Sequence, residues 1–534
     1  MDSEGAKNTI RDWDAQGMLN KASILERLDN KIQASYAVRD EEKPALKSAF
    51  ESACNEKGLL TETGFISLLQ QRASLPQSLA AVKAGKILYS SLVYLSTLPF
   101  PRRPDSSASS PVGLSLAELT RALVWAVPDR YKSIIEEGNF SRLRTKADHR
   151  RLLFQSLATI AHDEPHIPES ARQLALRNAF DVDSEGDREF CSLNHDDDGD
   201  ELYHDLLDTL YSTQEEKKPW MAPVSRDAFR PVAKRIATEN EIPSLHTLGI
   251  RSELFVDLAK LLLALQFNPA EINIDLDQYD DAARSVCAGF GDKTAAAAVI
   301  TWPAFDRGLR DVTQYLFEPF YHMLLVTYMG HTGPSPFLTG LDPPASTGSV
   351  LTLPRSSQLA TFLAGSVYFG ALRRVKAHSD LRSLSPLEFV TAMKQVPDEA
   401  IVLLSGRTET GETCVWGVFS PKPSADGDSV QTNVIPNHVG LEPCALFQLA
   451  PVHDVFRGTI GKPGWTADSE AVVFGQDSGV VLGLKDGLRR LEITHQVPRG
   501  DESKVFYKAS EWRGDWTASY EVLDIEIWSE KELK

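Results

Sequence analysis

The sequence predicts an α+β multidomain protein, in which an all-α N-terminal region precedes a C-terminal β-sandwich with flanking helices. Three observations support this prediction. Apolar residues recur at helical spacing through most of residues 1–329, strand-like alternation replaces that spacing beyond about residue 350, and two breaks rich in Pro, Ser and Gly interrupt the pattern. Because 534 residues exceed what one hydrophobic core supports, we expect several domains.

The two breaks set the predicted domain boundaries. The predicted order is a helical region 1–100, a linker 101–113, a second helical region 114–329 with an acidic insertion 181–208, a linker 330–350 and a β domain 351–531. Since the breaks are long and polar, we expect separate cores on either side of them.

The stretch Cys444–Gly458 is the predicted centre of the β domain, and it reads as two short strands broken at Pro451. Ala445, Phe447 and Leu449 alternate with Cys444, Leu446 and Gln448, so both faces of the first strand are largely apolar. This predicts a strand packed on both sides. Other strands are expected at Ala400–Leu404, Cys414–Phe419, Ala471–Phe474, Val480–Leu484 and Tyr520–Trp528.

Composition excludes several classes of protein. The net charge of −18, without a basic run, argues against nucleic-acid binding. The cysteines are odd in number and scattered, which indicates reduced thiols in the cytosol rather than disulfides or a zinc site. They are Cys54, Cys191, Cys287, Cys414 and Cys444.

The sequence carries no membrane signal that we recognise. Its start, Met-Asp-Ser-Glu-Gly, has neither the apolar core of a secretory signal nor the glycine directly after the initiator methionine that myristoylation requires. The most apolar windows, Leu254–Phe267 and Tyr315–Met329, are too short for a bilayer and contain charged residues or His. We therefore expect no integral membrane segment.

The helical half contains a loosely repeated motif in which an apolar residue, a Ser or Thr cap and a later apolar or aromatic residue follow one another. It occurs at Leu60-Thr61 with Phe65, Val224-Ser225 with Phe229, Ile300-Thr301 with Phe305 and, more weakly, Leu114-Ser115 with Leu119. This spacing is similar to the start of the second EF-hand helix. The ligand positions hold residues such as Ala53, Lys57, Lys293 and Ala297, so we expect structural helix pairs without metal or other cofactor.

One acidic stretch, Asp181–Ser192, fits a calcium loop better. It has oxygen ligands at loop positions one, three, five and nine, and Gly186 at the turn position. Against calcium binding, Arg188 replaces an apolar residue and Ser192 replaces the bidentate Glu. A solvated acidic loop and a weak calcium site both stay open.

No stretch predicts a catalytic centre. Gly289–Thr294 is faintly similar to a phosphate loop but lacks the Gly-Lys-Ser/Thr ending, so we interpret it as a turn. His453 and Asp454 are adjacent in a strand and therefore point to opposite faces, which prevents direct support of one by the other. We expect a hydrogen-bonding role for His453 inside or at the edge of the sheet, with catalysis as the alternative.

The C-terminal strand Leu523–Trp528 alternates strictly. This pattern predicts that Leu523, Ile525 and Ile527 point inward and that Asp524, Glu526 and Trp528 share the other face. Two like charges on one face can separate their pKa values for acid–base chemistry. A covered or partner-binding sheet face is the alternative, and we favour it because no nucleophile is adjacent.

Several short motifs, taken in order, resemble the TLDc domain of oxidation-resistance proteins. They are Leu384–Phe389, Ala400–Gly406, Val415–Phe419, Glu442–Phe447, Gly479–Leu484 and Glu526–Trp528. Gln448–Arg457, with Leu92–Phe100 and Leu152–Ala158 upstream, is similar to the fungal restriction-of-telomere-capping type, which has an EF-hand-like region before its TLDc domain.

The resemblance implies a two-layer β-sandwich and a non-enzymatic regulator. Such proteins bind the peripheral V1 sector of the vacuolar proton-pumping ATPase (V-ATPase), affect its assembly state and are linked to oxidative-stress resistance. The expected protein is a monomer in the cytoplasm that associates peripherally with the vacuolar membrane.

Two alternatives come from other functional classes. One is a calcium-responsive adaptor that uses Asp181–Glu189. The other is a hydrolase-like enzyme that uses Glu442, His453 or the Asp524/Glu526 pair, which requires these groups to converge in one pocket.

Overall fold

The structure is a computed structural model of the chain. It describes residues 3–73, 75–101, 113–135, 144, 146–161, 202–214, 224–241, 245–267, 275–291, 298–332, 342–344, 346–378, 385–396, 399–420, 444–458, 465–476, 478–499 and 505–530.

Helices dominate the described chain up to Tyr328, and most strands follow. The helices are α1 Ser3–Ala15, α2 Lys21–Ala34, α3 Lys43–Ala53, α4 Glu62–Arg72, α5 Leu79–Ser96, α6 Leu116–Ala126, α7 Lys132–Ile135, α8 Lys146–Leu157, α9 Leu202–Ser212, α10 Arg230–Glu239, α11 Ser252–Ala264, α12 Asp280–Gly289, α13 Trp302–Arg307, α14 Glu318–Tyr328, α15 Leu353–Leu363 and α16 Pro386–Gln395. The strands are β1 Ile160–Ala161, β2 Leu248–Arg251, β3 Val299–Ile300, β4 Leu372–His378, β5 Ala400–Arg407, β6 Thr413–Ser420, β7 Ala445–Ala450, β8 Asp454–Arg457, β9 Trp465–Ala467, β10 Val472–Gln476, β11 Ser478–Lys485, β12 Arg490–Gln496 and β13 Trp516–Glu530. The predicted α+β arrangement is confirmed.

The chain divides into two compact units, and neither is one continuous stretch. Unit 1 comprises Met1–Phe255, Ala296–Asp306 and Phe320–Gly333, and unit 2 comprises Val256–Ala295, Arg307–Pro319 and Pro334–Lys534. The linker and domain boundaries given above stay predictions. None of the described helices is long and apolar enough to cross a bilayer.

In unit 1, two helix–loop–helix segments are joined through their loops. Leu60 and Leu114 exchange two backbone hydrogen bonds, at 2.8 and 2.9 Å. Thr61 caps α4 through the Gly64 amide, and Ser115 caps α6 in a capping box with Glu118. The repeated motif therefore marks real helix starts at these two places.

A small three-stranded sheet connects further segments of unit 1. Strand β2 lies between β1 and β3, and Ile250 pairs with Ile300. The Ile300 motif thus also lies in a short strand directly before a helix, α13. In contrast, Ser225 makes no side-chain cap and precedes a short 3₁₀ turn.

An ion network is buried in unit 1 between the start of α8, α9 and the turn before α10. Asp205 accepts hydrogen bonds from Arg144 at 2.6 Å and from Arg151 at 2.9 Å. Asp208 accepts from Arg144 at 2.7 Å and from Arg226 at 2.6 Å. Burial alone would raise the pKa of Asp205, but Arg151 and Arg144 lower that pKa to about 2.

In unit 2, β4 to β13 form one antiparallel sheet. Its order is β8-β7-β6-β5-β13-β12-β11-β10-β9, with β4 pairing β13 beside this path. Strand β13 joins the two halves, because residues 516–521 pair with β12 whereas 521–529 pair with β5. The opposite edge of its second half pairs with β4.

The sheet folds back on itself around β13. Phe456 of β8 and His495 of β12 have ring centroids 5.5 Å apart, although four strands lie between β8 and β12 in the sheet order. Trp416 and Trp516 are likewise 6.2 Å apart. The predicted two-layer sandwich therefore needs one correction: the layers are halves of a single hydrogen-bonded sheet that enclose one core.

Unit 2 has a second buried core, on the outer face of the layer that contains β5, β6, β7 and β8. Phe362 of α15 packs on Phe447 of β7 with ring centroids 5.4 Å apart, and Leu359, Leu363, Ile401 and Leu403 belong to the same buried cluster. The sheet around β7 is thus buried on both faces.

A bulge in β13 corrects the predicted alternation at Leu523. The pairing with β5 shifts between Val522 and Asp524, so Leu523 is left without a register partner. Val522 enters the core between the layers together with Ile525 and Ile527, whereas Leu523 is 36% exposed. The prediction that Leu523 points inward is therefore wrong, and the prediction for Ile525 and Ile527 is confirmed.

Candidate functional site

The stretch Cys444–Gly458, predicted to be the centre of the β domain, folds as β7, a turn at Pro451 and β8. Ala445, Phe447 and Leu449 lie in the core under α15, and Cys444 and Leu446 lie in the core between the layers. The predicted alternation and two-sided burial are confirmed. Strand β8 is the sheet edge, so β7 is next to the edge rather than central.

His453 is completely buried and connects three elements of unit 2. Its backbone amide donates to Ser285 O of α12 at 2.8 Å, and its Nδ1 lies 3.2 Å from Gln358 Nε2 of α15. Gln358 Nε2 also donates to Leu449 O at 2.9 Å, so His453 Nδ1 is the acceptor in this pair. Burial lowers the pKa of His453 to about 3, which keeps the imidazole neutral at physiological pH.

Asp454 is buried on the opposite side of the strand. Its Oδ1 accepts hydrogen bonds from Ser510 Oγ and the Val455 amide, both at 3.0 Å, and Oδ2 lies 3.6 Å from Arg513. His453 and Asp454 therefore have separate partners, as their opposite orientation predicts. Burial raises the pKa of Asp454 to about 6, although Arg513 and Ser510 act in the other direction.

The Asp454 carboxyl is expected to make unit 2 less stable as the pH rises. Its folded-state pKa of about 6 exceeds the ordinary value of 3.8, so the folded state binds the proton more tightly and stability falls between these two pH values. Asp454→Asn removes this titration. The free energy of unfolding of Asp454→Asn, relative to the unsubstituted protein, should rise from pH 4 to about 6 and then level off.

Urea unfolding of both proteins at several pH values, followed by tryptophan fluorescence, measures this difference. A difference that stays constant with pH would show that Arg513 and Ser510 cancel the effect of burial on Asp454, and a difference that falls as pH rises would show that they outweigh it.

Ser510 contacts both Asp454 and His495, but the three residues do not form a nucleophilic triad. In such a triad the serine hydroxyl donates to histidine and the carboxylate accepts from the other ring nitrogen. Here Ser510 Oγ donates to Asp454, while His495 Nε2 accepts from the Ser510 amide at 3.1 Å and Nδ1 contacts Gly514 O at 2.7 Å. Burial lowers the pKa of His495 to about 4, so it too stays neutral.

Arginine and tryptophan side chains stack next to this cluster. The guanidinium of Arg513 lies 4.7 Å from the Trp516 ring centroid, and its NH1 donates to Gln448 Oε1 at 2.8 Å. Arg307 lies 4.7 Å from the Trp512 ring. The two ring contacts are cation–π interactions, and the hydrogen bond to Gln448 ties the segment before β13 to β7.

Glu526 is completely buried and holds the segment before α15. It accepts hydrogen bonds from the Leu351 amide at 2.9 Å, the Val350 amide at 3.2 Å, Ser349 Oγ at 3.1 Å and Trp528 Nε1 at 3.0 Å. Burial raises its pKa, but these donors outweigh burial and the net pKa of Glu526 is lowered.

Asp524 and Glu526 share a sheet face, since they pair with Ser405 and Leu403 of β5. Only Glu526 is completely buried, and Asp524 is half-buried. The structure gives His453 and Glu526 different partners on different elements. Glu442 lies outside the described residues, as do Asp181–Glu201 with Cys191, and Lys293.

Within the described ranges, no group of three His, Cys, Asp or Glu side chains has a geometry for metal binding. Cys54, Cys287, Cys414 and Cys444 are not in disulfides. Sequence reasoning missed Ser510 and Arg513 as partners of Asp454, and His495 as the partner of the Ser510 amide. The alternation of Leu491, Ile493 and His495 in β12 was the one available signal.

Comparison with known proteins shows a distant similarity to a fungal protein. The chain is 23% identical over 492 residues to "Restriction of telomere capping protein 5" of the fungus Sordaria macrospora, which covers 83% of this chain and 75% of that protein. No protein-family model matches the chain.

Proposed function

We propose that this protein is a non-enzymatic TLDc-type adaptor that binds the V1 sector of the vacuolar proton-pumping ATPase and affects its assembly state. The observation that carries the proposal is the order of the TLDc-like motifs. Ala400–Gly406, Val415–Phe419 and Gly479–Leu484 fall in β5, β6 and β11, and Glu526–Trp528 falls in the shared strand β13.

The fungal similarity adds support, because it extends over most of the chain and concerns a protein of the type to which the motifs point. The V1 partner and the link to oxidative-stress resistance come from the family resemblance. A cytoplasmic location with peripheral association at the vacuolar membrane belongs to the same proposal.

The polar groups of the candidate site favour an adaptor over a hydrolase. His453, Asp454 and Glu526 are each engaged by hydrogen bonds within unit 2, and Ser510 donates to a carboxylate rather than to a histidine. In a nucleophilic triad the serine instead donates its proton to a histidine that a carboxylate orients. These contacts support structural roles for all four side chains.

We also propose that the helix pairs of unit 1 are EF-hand-like and structural. The paired backbone at Leu60 and Leu114, and the Ile250–Ile300 pair in the small sheet, support this interpretation. Around the Leu60 loop, Ala53, Asn55 and Lys57 offer no carboxylate for calcium.

The proposal predicts that immobilised full-length protein captures V1 subunits from a fungal vacuolar lysate. Mass spectrometry of the eluate identifies them, and a second capture with purified V1 tests direct binding. If no V1 subunit is recovered where a known TLDc protein recovers them, the proposal is wrong.

Two variants of β13 make a matched pair for this capture. Glu526→Ala removes the carboxylate that holds Ser349–Leu351 and is expected to lower V1 recovery at least severalfold, because unit 2 is destabilised. Asp524→Ala changes a half-buried carboxylate on the same strand and face and is expected to retain V1. Equal loss with both variants would indicate that the sheet face itself contacts V1.

A further inference from the structure

A groove lies in unit 1 between α2, α3 and α6, and it encloses about 440 Å³. This volume falls within the range of typical ligand sites, which are mostly apolar with a few polar groups. Ile32, Val38 and Leu46 form the buried apolar floor. Leu116 and Ala117 of α6 form the apolar side of the opposite wall.

Two lysines stand on the α3 wall of this groove. Lys43 and Lys47 are four residues apart and therefore lie on one face of the helix. Lys43 pairs with Asp40 at 2.7 Å and Lys47 with Glu51 at 3.8 Å, and all four side chains are substantially exposed. Exposed pairs of this kind contribute little, so either lysine can exchange its partner at small cost.

The Asp29 carboxylate, which also lines the groove, already has its charge compensated by an ion pair. Asp29 accepts two hydrogen bonds from Arg121, at 2.9 Å to Nε and 2.7 Å to NH2. Arg121 is buried, so this bidentate pair is fixed. The charge that the groove can offer to an incoming group is therefore positive, in a chain whose net charge is −18.

The dimensions of the groove select the kind of occupant. Each wall spans one helical turn, from Asp29 to Gln33, from Lys43 to Lys47 and from Leu116 to Thr120, which is about 6 Å of helix axis. This length matches two anchoring side chains four residues apart on a helix. An extended long-chain acyl group is much longer than such a wall.

We propose that this groove binds a short amphipathic helix of a partner protein, whose apolar anchors enter between α2, α3 and α6 and whose carboxylates pair with Lys43 and Lys47. The proposal concerns unit 1 and does not depend on V1 binding.

Fluorescence anisotropy with two labelled model peptides tests the proposal on the full-length protein. Both are Ala-rich helices of about 18 residues, long enough to be helical, with Leu at two positions four residues apart. One carries Glu beside the Leu pair and the other carries Lys. The Glu peptide is expected to bind roughly tenfold more tightly than the Lys peptide, with the difference falling at high salt.

Three variants locate the binding. Lys43→Glu combined with Lys47→Glu is expected to reverse the peptide preference, whereas the exposed Lys57→Glu in the α3–α4 loop serves as the matched control and should preserve it. Ala117→Trp, at an exposed wall position, should weaken both peptides by filling the groove. Thermal unfolding of each variant verifies that unit 1 stays folded.

Several outcomes would overturn the proposal. These are equal affinity for the two peptides, a preference unchanged in the Lys43/Lys47 double variant, or binding unaffected by Ala117→Trp. Binding of myristate without binding of either peptide would assign the groove to an acyl ligand. A dimer that Ala117→Trp dissociates would assign it to a second copy of the chain.

Discussion

Replacing Asp205 with alanine is expected to lower the free energy of unfolding of unit 1 by about 3–5 kcal/mol. The substitution leaves Arg144 and Arg151 buried without the carboxylate that they share. An uncompensated buried charge costs far more than the pair itself contributes. Urea unfolding followed by far-ultraviolet circular dichroism, which reports mainly on the helices, measures the effect.

The exposed pair Asp40–Lys43 provides the control for Asp205. Asp40 is 92% exposed, so Asp40→Ala should leave stability almost unchanged. The pKa of Asp205 is lowered to about 2, so its contribution is fully present above the ordinary value of 3.8 and is lost as pH falls through 2. If the two variants unfold at the same urea concentration, the ion network does not stabilise unit 1.

Glu526→Ala is expected to destabilise unit 2 by about 3 kcal/mol or more. The Val350 and Leu351 amides and the Trp528 indole would each lose a buried acceptor, and an unsatisfied buried donor costs about 1–3 kcal/mol. A shift of the tryptophan-fluorescence unfolding transition to lower urea concentration is the measurement.

Two further variants sharpen the Glu526 result. Asp524→Ala, on the same strand, should change the transition little. Gly348→Ala should lower stability in the same direction as Glu526→Ala, because a Cβ at Gly348 would overlap the Glu526 carboxylate. A destabilising Asp524→Ala with a neutral Glu526→Ala would reverse the roles that the hydrogen bonds assign.

Sequence patterns correctly predicted features that depend on residues close together in the chain, namely strand alternation and helix caps. The period-two alternation at β7 assigned both faces correctly. Successive side chains of a strand point to opposite faces, so Phe447 and Leu446 enter different cores. Capping residues such as Thr61 and Ser115 correctly marked helix starts.

Nonlocal geometry accounts for what the sequence did not predict. The bulge at Leu523 depends on how β13 satisfies β5 on one edge and both β4 and β12 on the other, and no residue in the strand signals it. The partners of Asp454 come from Ser510 and Arg513, more than fifty positions away. The carboxylates of the buried network in unit 1, Asp205 and Asp208, fall within the predicted acidic insertion 181–208, and nothing in that composition distinguishes them from their acidic neighbours.

The place of β13 in the chain has a consequence for biogenesis. It pairs with β4, β5 and β12, yet it follows all of them in sequence. While the chain is being synthesised, neither layer has its shared strand, so the backbone N–H and C=O groups along the edges of β5 and β12 that pair with β13 stay unpaired until β13 emerges. Unit 2 therefore completes its fold only after translation has passed residue 530. Before that point its unpaired strands are most prone to aggregate and most in need of chaperones.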